Sequence, residues 1–104
     1  MTDALVVLVT APSVEVAVAI ARAAVEERLA ACGNILPGVR SIYRWDGKLQ
    51  DEAEVLLVLK TRRSRFAALR DRVLALHPHE TPEVIALPVE AGSDAYLDWI
   101  AGST

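Results

Sequence analysis

The stretch from Val39 to Leu59 reads VRSIYRWDGKLQDEAEVLLVL, and it decides the fold class of this chain. On both sides of Asp46-Gly47 the side chains alternate between two faces with a period of two, as they do in β-strands. Asp-Gly is a preferred two-residue connection between antiparallel strands, so the stretch predicts a β-hairpin. Pro37-Gly38 interrupts the first arm. Because proline donates no ladder hydrogen bond, we expect a bulge or bend at that point.

The segments around the hairpin predict two more strands and three helices. Ser13 is placed to cap a first helix, since apolar residues recur after it at helical spacing. A second helix ends at His77-Pro78, because the residue before proline is pushed out of helical geometry. Ser93 is expected to cap a short last helix. The expected bounds are Ala4 to Val9 for the first strand, Arg62 to Leu76 for the second helix, Val84 to Val89 for the fourth strand and Asp94 to Ile100 for the last helix.

The order strand, helix, strand, strand, helix, strand predicts an α+β fold, the split βαβ of a ferredoxin-like sandwich, in one domain over residues 1–104. Two right-handed crossovers place both main helices on one face of an antiparallel sheet, so the other face is left without cover. The hairpin arms are also longer than the first helix can cover, and the tip overhangs the domain. An overhang that carries Tyr43 and Trp45 is expected to pack on a second copy of the chain.

Composition narrows the class of protein. The 104 residues are 53% hydrophobic and 24% charged, which excludes disorder, and so apolar a short chain is expected to self-associate. A net charge of -3 argues against nucleic-acid binding. The longest apolar run falls far short of a membrane span. The single cysteine, Cys32, and the absence of a secretory signal pattern lead us to expect a cytoplasmic protein.

Several motifs in one order closely resemble the CutA divalent-cation-tolerance family, over almost the whole chain. The motifs are Val9-Thr10-Ala11-Pro12, Glu27 to Cys32, Asn34 to Gly38, Ser41 to Trp45 with Gly47-Lys48-Leu49, Glu54 to Thr61, His77-Pro78 with Thr81-Pro82-Glu83, Leu87-Pro88-Val89 and Tyr96 to Ile100.

The resemblance implies a homotrimer related in architecture to the PII signalling proteins, with side chains gathered in clefts between subunits. It implies a protein of divalent-metal tolerance, in a family where copper binding has been attributed to some members. Because the sequence holds no catalytic constellation, we expect a protein that is not an enzyme, requires no cofactor and binds divalent cations weakly, copper among them. The resemblance places Tyr43, Trp45, Glu54 and Lys60 at the inter-subunit cleft. It places His77 and Cys32 around the same cleft, and their imidazole and thiol groups make these two residues the candidate metal ligands.

The residues weigh against a tight metal site. Some members that bind copper carry a cysteine and a second histidine at positions that here hold Val9 and Leu76. One imidazole and one thiol fall short of the three or four ligands that soft metals take, so we expect weak binding, through His77 if anywhere. The sequence neighbours of Cys32 supply no cation that would lower a thiol pKa, so we expect that cysteine to be structural.

Two other functions fit the same residues. Lys60 at a strand end suits an anionic ligand, which makes a PII-like sensor of a small anionic metabolite the main alternative. An enzyme that uses Glu54 and Lys60 is the third hypothesis, although no nucleophile elbow or phosphate loop supports it. Asp51, Glu52 and Glu54 are more simply interpreted as a solvated strand face, or as partners of Arg40 and Arg44 in inter-subunit salt bridges.

Overall fold

The computed structural model of the protein describes residues 2–104. Along this part of the chain it contains four strands and three helices. They are β1 Ala4–Ala11, α1 Val14–Glu26, β2 Cys32–Trp45, β3 Lys48–Arg62, α2 Arg63–Leu76, β4 Val84–Pro88 and α3 Asp94–Gly102. The sheet order is β2-β3-β1-β4, and every pair is antiparallel. The predicted ferredoxin-like sandwich is confirmed.

The hairpin turns as its sequence predicts. Asp46 and Gly47 have φ values of 53° and 75°, the two positive angles that a two-residue hairpin turn of this hand requires. The ladder runs from Trp45 opposite Lys48 to Val39 opposite Glu54, then shifts. The shift falls at Pro37-Gly38, the expected bulge, with Gly38 at φ 84°.

The core lies between the sheet and the helices α1 and α2. Val7 and Val9 of β1 and Leu57 and Leu59 of β3 are fully buried against the two helices. The helices contribute Ile20, Ala21, Ala24, Leu69 and Val73 to the same core. The period-two pattern of the strands and the 3.6-residue pattern of the helices therefore meet at one apolar layer.

The helix ends follow the predicted signals with small differences. The Ser13 hydroxyl accepts a hydrogen bond from the backbone amide of Val16 at 3.2 Å, so the predicted cap of α1 is confirmed. Helix α2 ends before His77, and β4 ends at Pro88, one residue earlier than expected. Ser93 stands at the start of α3, but its side chain makes no capping bond; its backbone carbonyl accepts from Leu97 instead.

The second face of the sheet has no helix layer over it. We call this the open face; it carries an apolar group of side chains, each half-buried or exposed in the single chain. The group consists of Val6, Leu8, Leu36, Leu56, Val58, Ile85 and Leu87. α3 packs only at one end of the sheet, where Ile100 contacts Ala4 and Ala31.

The hairpin extends well beyond the rest of the sheet. Residues Val55 to Arg62 of β3 pair with β1, whereas Lys48 to Glu54 pair only with β2. Those seven residues correspond to roughly 23 Å of strand at 3.3 Å per residue. The molecule is accordingly elongated, with extents of 44 × 25 × 23 Å. Near the tip Trp45 is 52% exposed and Leu49 is 72% exposed.

Candidate functional site

A cavity of about 760 Å³ lies between the overhanging hairpin and the loop that joins α2 to β4. We call it the hairpin cavity. The hairpin contributes Tyr43, Trp45, Glu52 and Glu54, the loop contributes Glu80 and Glu83, and Thr10 closes the end near β1. Because Val84 pairs with Val9, the topology brings the loop before β4 to the end of β1. The volume falls in the range of pockets that hold small organic ligands.

The lining of the hairpin cavity is acidic. Four carboxylates line it, and among the described residues no lysine or arginine does. Partial burial first, and then the charges of Glu52 and Glu54, raise the pKa of Tyr43 above its ordinary value of 10.0. The phenol therefore stays protonated over the physiological range and can donate a hydrogen bond into the cavity.

Two aromatic side chains give the cavity its apolar wall. Tyr43 and Trp45 are two residues apart on β2, so they project from the same face of the hairpin. Tyr43 is 37% exposed, and in the single chain neither ring is covered by another aromatic ring among the described residues. An aromatic wall beside carboxylates suits a ligand that combines apolar and cationic parts.

Lys60 and Cys32 lie elsewhere, at the opposite end of the open face. They are opposite each other in the ladder, and the Lys60 ammonium is 3.8 Å from the Cys32 sulfur. The same ammonium donates a hydrogen bond to the side-chain oxygen of Asn34. The chain neighbours of Cys32 supply no cation, but its cross-strand neighbour Lys60 does, and this contact was not predicted from the sequence.

His77 is buried, with 7% of its surface exposed, and both ring nitrogens are occupied. Nδ1 accepts a hydrogen bond from the backbone amide of His79 at 3.1 Å. Nε2 therefore carries the proton and donates to the carbonyl of Thr10 at 2.8 Å. A metal ion could bind this imidazole only after displacing one of the two hydrogen bonds.

The predicted site residues thus form separate groups within one chain. Tyr43, Trp45 and Glu54 share the hairpin cavity, whereas Lys60 and Cys32 share the other end of the open face. His77 contacts Thr10, whereas Cys32 is level with Val6 in the sheet. Thr10 and Val6 are four residues apart on β1, so His77 and Cys32 are separated by roughly 13 Å along the strand direction. Among residues 2–104 no three histidine, cysteine, aspartate or glutamate side chains converge on a point that could hold a metal ion.

Sequence reasoning missed Glu80 and Glu83 as members of the site. They flank Thr81-Pro82, and their position follows from the antiparallel pairing of β4 with β1. The carboxylate of Asp51, by contrast, faces away from the cavity. It accepts two hydrogen bonds from Arg40, at 2.8 and 2.7 Å, within the same hairpin.

None of the described helices is long and apolar enough to cross a membrane.

These features of the fold and the site define the class of protein. It is a ferredoxin-like α+β protein whose split βαβ sheet has one open face and an overhanging hairpin, with an acidic candidate ligand cavity at the base of that hairpin. Comparison with known proteins gives the particular family. The model of the CutA1 divalent ion tolerance protein matches residues 5–103, and this chain belongs to that family.

Individual relatives agree with this assignment. The divalent-cation tolerance protein CutA of Thermus thermophilus is 54% identical over 99 residues, which are 95% of this chain and 96% of the relative. The chloroplastic protein CutA of Arabidopsis thaliana is 49% identical, and the match covers 96% of this chain but 55% of that protein. A solved structure of the Thermus protein superimposes with a TM-score of 0.95 at 53% identity, covering 97% of this chain and 98% of the other.

Proposed function

We propose that the protein is a non-catalytic homotrimer of divalent-metal tolerance that binds divalent cations weakly. The observation that carries the trimer is the open face. Leu36, Ile85 and Leu87 are each about half exposed there, beside a hairpin whose tip leaves Trp45 and Leu49 in water. A contiguous apolar surface of this kind marks an association surface in soluble domains. Three copies around one axis would cover it and bring each hairpin onto a neighbour.

Weak rather than tight metal binding follows from the ligands available. Copper and zinc take three or four nitrogen and sulfur ligands at tight sites. The candidates His77 and Cys32 stand apart, and both nitrogens of His77 already hold hydrogen bonds. The carboxylates of the hairpin cavity surround a wide space and do not converge on one point. Divalent ions would therefore keep most of their water at either place.

The charge of the cavity also bears on the alternative of an anionic metabolite. Four carboxylates without a lysine or arginine repel an anion, and Lys60 is engaged with Asn34 and Cys32 at a different place. We therefore prefer a cation-handling role to a sensor of anions.

We further propose a cytoplasmic location, because the single cysteine cannot form an intrachain disulfide.

Calorimetric titration of Cu²⁺ into the wild type, His77→Ala and Cys32→Ser tests the proposal. We expect a dissociation constant weaker than about 1 μM for the wild type, because fewer than three good ligands are available. Loss of binding in His77→Ala alone would assign the site to the imidazole. A sub-micromolar constant, or unfolding of the wild type by a chelator, would contradict weak and non-structural binding.

A further inference from the structure

We propose that the outer face of α2 is a docking surface for an acidic protein segment, an extended stretch that carries several aspartate or glutamate residues in succession. This face lies in the helix layer, on the side of the sheet opposite the open face, so association through the open face leaves it accessible. The inference goes beyond the proposed function and does not depend on metal binding. Three features of α2 support it: the segregation of charge, the arrangement of its arginines and the weak pairing of those arginines within the chain.

The charges of the chain are segregated, and the positive ones concentrate on α2 and just before it. Residues 60–72 hold six of the eleven lysine and arginine residues and one acid, whereas residues 73–104 hold five acids and no lysine or arginine. Helix α2 itself contains four arginines and a single aspartate. A protein with a net charge of -3 therefore presents one strongly positive helix, which attracts anionic partners over a Debye length of about 10 Å at 0.1 M salt.

The arginines of α2 form two rows along the helix. Arg63 and Arg70 are seven residues apart, as are Arg65 and Arg72, so the members of each row are roughly 10.5 Å apart along the axis. About three residues of extended chain cover the same distance. Because successive side chains of an extended segment point to opposite sides, consecutive carboxylates reach both rows. Between the rows, on the solvent side, lie the short exposed side chains of Ser64, Ala67, Ala68 and Ala75.

The protein itself pairs this positive charge only weakly. Among residues 2–104 neither Arg63 nor Arg65 forms a salt bridge, and the Nε atom of Arg65 is buried without a hydrogen-bond partner. Arg70 and Arg72 pair with neighbouring carboxylates, but the two arginine side chains are 47% and 41% exposed, and ion pairs at such sites contribute little to stability. Carboxylates of a partner can therefore compete for all four guanidinium groups.

The first turn of α2 adds to the preference for an anionic partner. Arg62 stands at the N-cap without a side-chain capping bond, Arg63 and Arg65 follow, and no acidic residue is present in this turn. The amino end of a helix carries a partial positive charge that favours acidic side chains, so three arginines at this end work against it. Departures of this kind from local preference are typical of functional sites. A carboxylate from a partner would offset both the helix dipole and the repulsion between the guanidinium groups.

An acidic protein segment suits this face better than a nucleic acid or a membrane. Phosphate backbones are bound by positive surfaces of wider reach than one helix of 14 residues, about 21 Å long, in a protein of net charge -3. Helices that bind membrane surfaces insert their apolar face into the lipid, whereas the apolar face of α2 is packed in the core through Leu69 and Val73.

Fluorescence anisotropy of a labelled hexaglutamate peptide with the intact protein tests the inference. We expect saturable binding at low ionic strength that weakens as salt is added, and no binding of hexaglutamine. Arg63→Gln/Arg70→Gln should weaken the affinity about fivefold, because it removes the charge of one row. Lys48→Glu makes the same change in net charge at the hairpin tip and should bind the peptide like the wild type.

A gain of binding is a second readout, which loss of folding cannot mimic. Asp71→Asn removes the single acid of α2 and frees Arg70, so it should tighten binding about threefold. No saturable binding of hexaglutamate, equal binding of hexaglutamine, an affinity that neither α2 variant changes, or equal weakening in Lys48→Glu would overturn the inference. Tighter binding of duplex DNA or of vesicles with anionic lipid than of the peptide would assign the surface to that partner and also overturn it.

Discussion

Replacing Leu36 with lysine should dissociate the protein, because this side chain lies on the open face and is 44% exposed in the single chain. Burying a whole leucine side chain contributes about 1.5–3 kcal/mol, so covering the remaining 44% contributes roughly 0.7–1.3 kcal/mol per subunit. Three subunits lose roughly 2–4 kcal/mol. Each buried ammonium without a partner costs several kcal/mol more. The association of the proposed trimer should therefore weaken by at least about 5 kcal/mol, between three and four orders of magnitude in the association constant.

Leu74→Lys is the matched control for this substitution. Leu74 is 45% exposed, nearly the same as Leu36, but it lies on α2, in the helix layer on the other side of the sheet. Its substitution should change stability by no more than about 0.5 kcal/mol and leave the mass unchanged. Light scattering at micromolar concentration measures both variants. If Leu36→Lys keeps the same mass as Leu74→Lys, the open face is not the association surface.

Three further perturbations test other parts of the account. Gly47→Ala should lower the free energy of unfolding by about 1–2 kcal/mol, because φ at this position is 75°. Gly102→Ala is the control and should leave the free energy of unfolding unchanged, because φ there is not positive. Equal melting midpoints of the two variants would contradict strain at the turn. Arg40 lowers the pKa of Asp51 below 3.8, so the small stabilisation from this pair is present above about pH 4 and is lost as the pH falls through the folded pKa. Asp51→Asn should therefore melt below the wild type at pH 6 and together with it near pH 2; a gap that persists at low pH would exclude the ion pair as its cause. Cys32 should react with a thiol reagent slowly in the assembled protein and rapidly in dissociated subunits, because it lies on the open face. Fast reaction in both states would refute the burial of Cys32 by assembly.

Local signals in the sequence were sufficient for most of the fold. The turn at Asp46-Gly47 needs two positive φ angles, which this pair favours, and proline at position 78 keeps His77 out of helical geometry, so α2 ends at Leu76. The open face and the overhang of the hairpin also followed from element order and strand length. These features depend on residues close together in the chain, so no tertiary information was needed.

The environment of Cys32 could not be predicted from local signals in the sequence. Extending the register of the turn along the hairpin would place Cys32 opposite Thr61, on the face that the helices bury. The bulge at Pro37-Gly38 shifts the register by one residue, which places Cys32 opposite Lys60 on the open face. The expected bulge thus reverses the face of every residue before it, and the lysine contact follows from that reversal.

The hairpin cavity depends on contacts between distant parts of the chain. Tyr43, Trp45 and Glu54 were predicted from the resemblance, but the loop carboxylates Glu80 and Glu83 reach them only because β4 pairs with β1. Lys60 was grouped with these residues, yet within one chain it lies at the other end of the sheet. Such groupings require the pairing of strands in space, which residue spacing alone does not give.

Sedimentation equilibrium of the wild-type protein tests the central claim, that the open face and the overhanging hairpin are covered by two further copies of the chain. We expect a single species of three chain masses from low micromolar to millimolar concentration, because an interface that includes several half-exposed leucine and isoleucine side chains per subunit stays closed over that range. A species of one chain mass at those concentrations would contradict it.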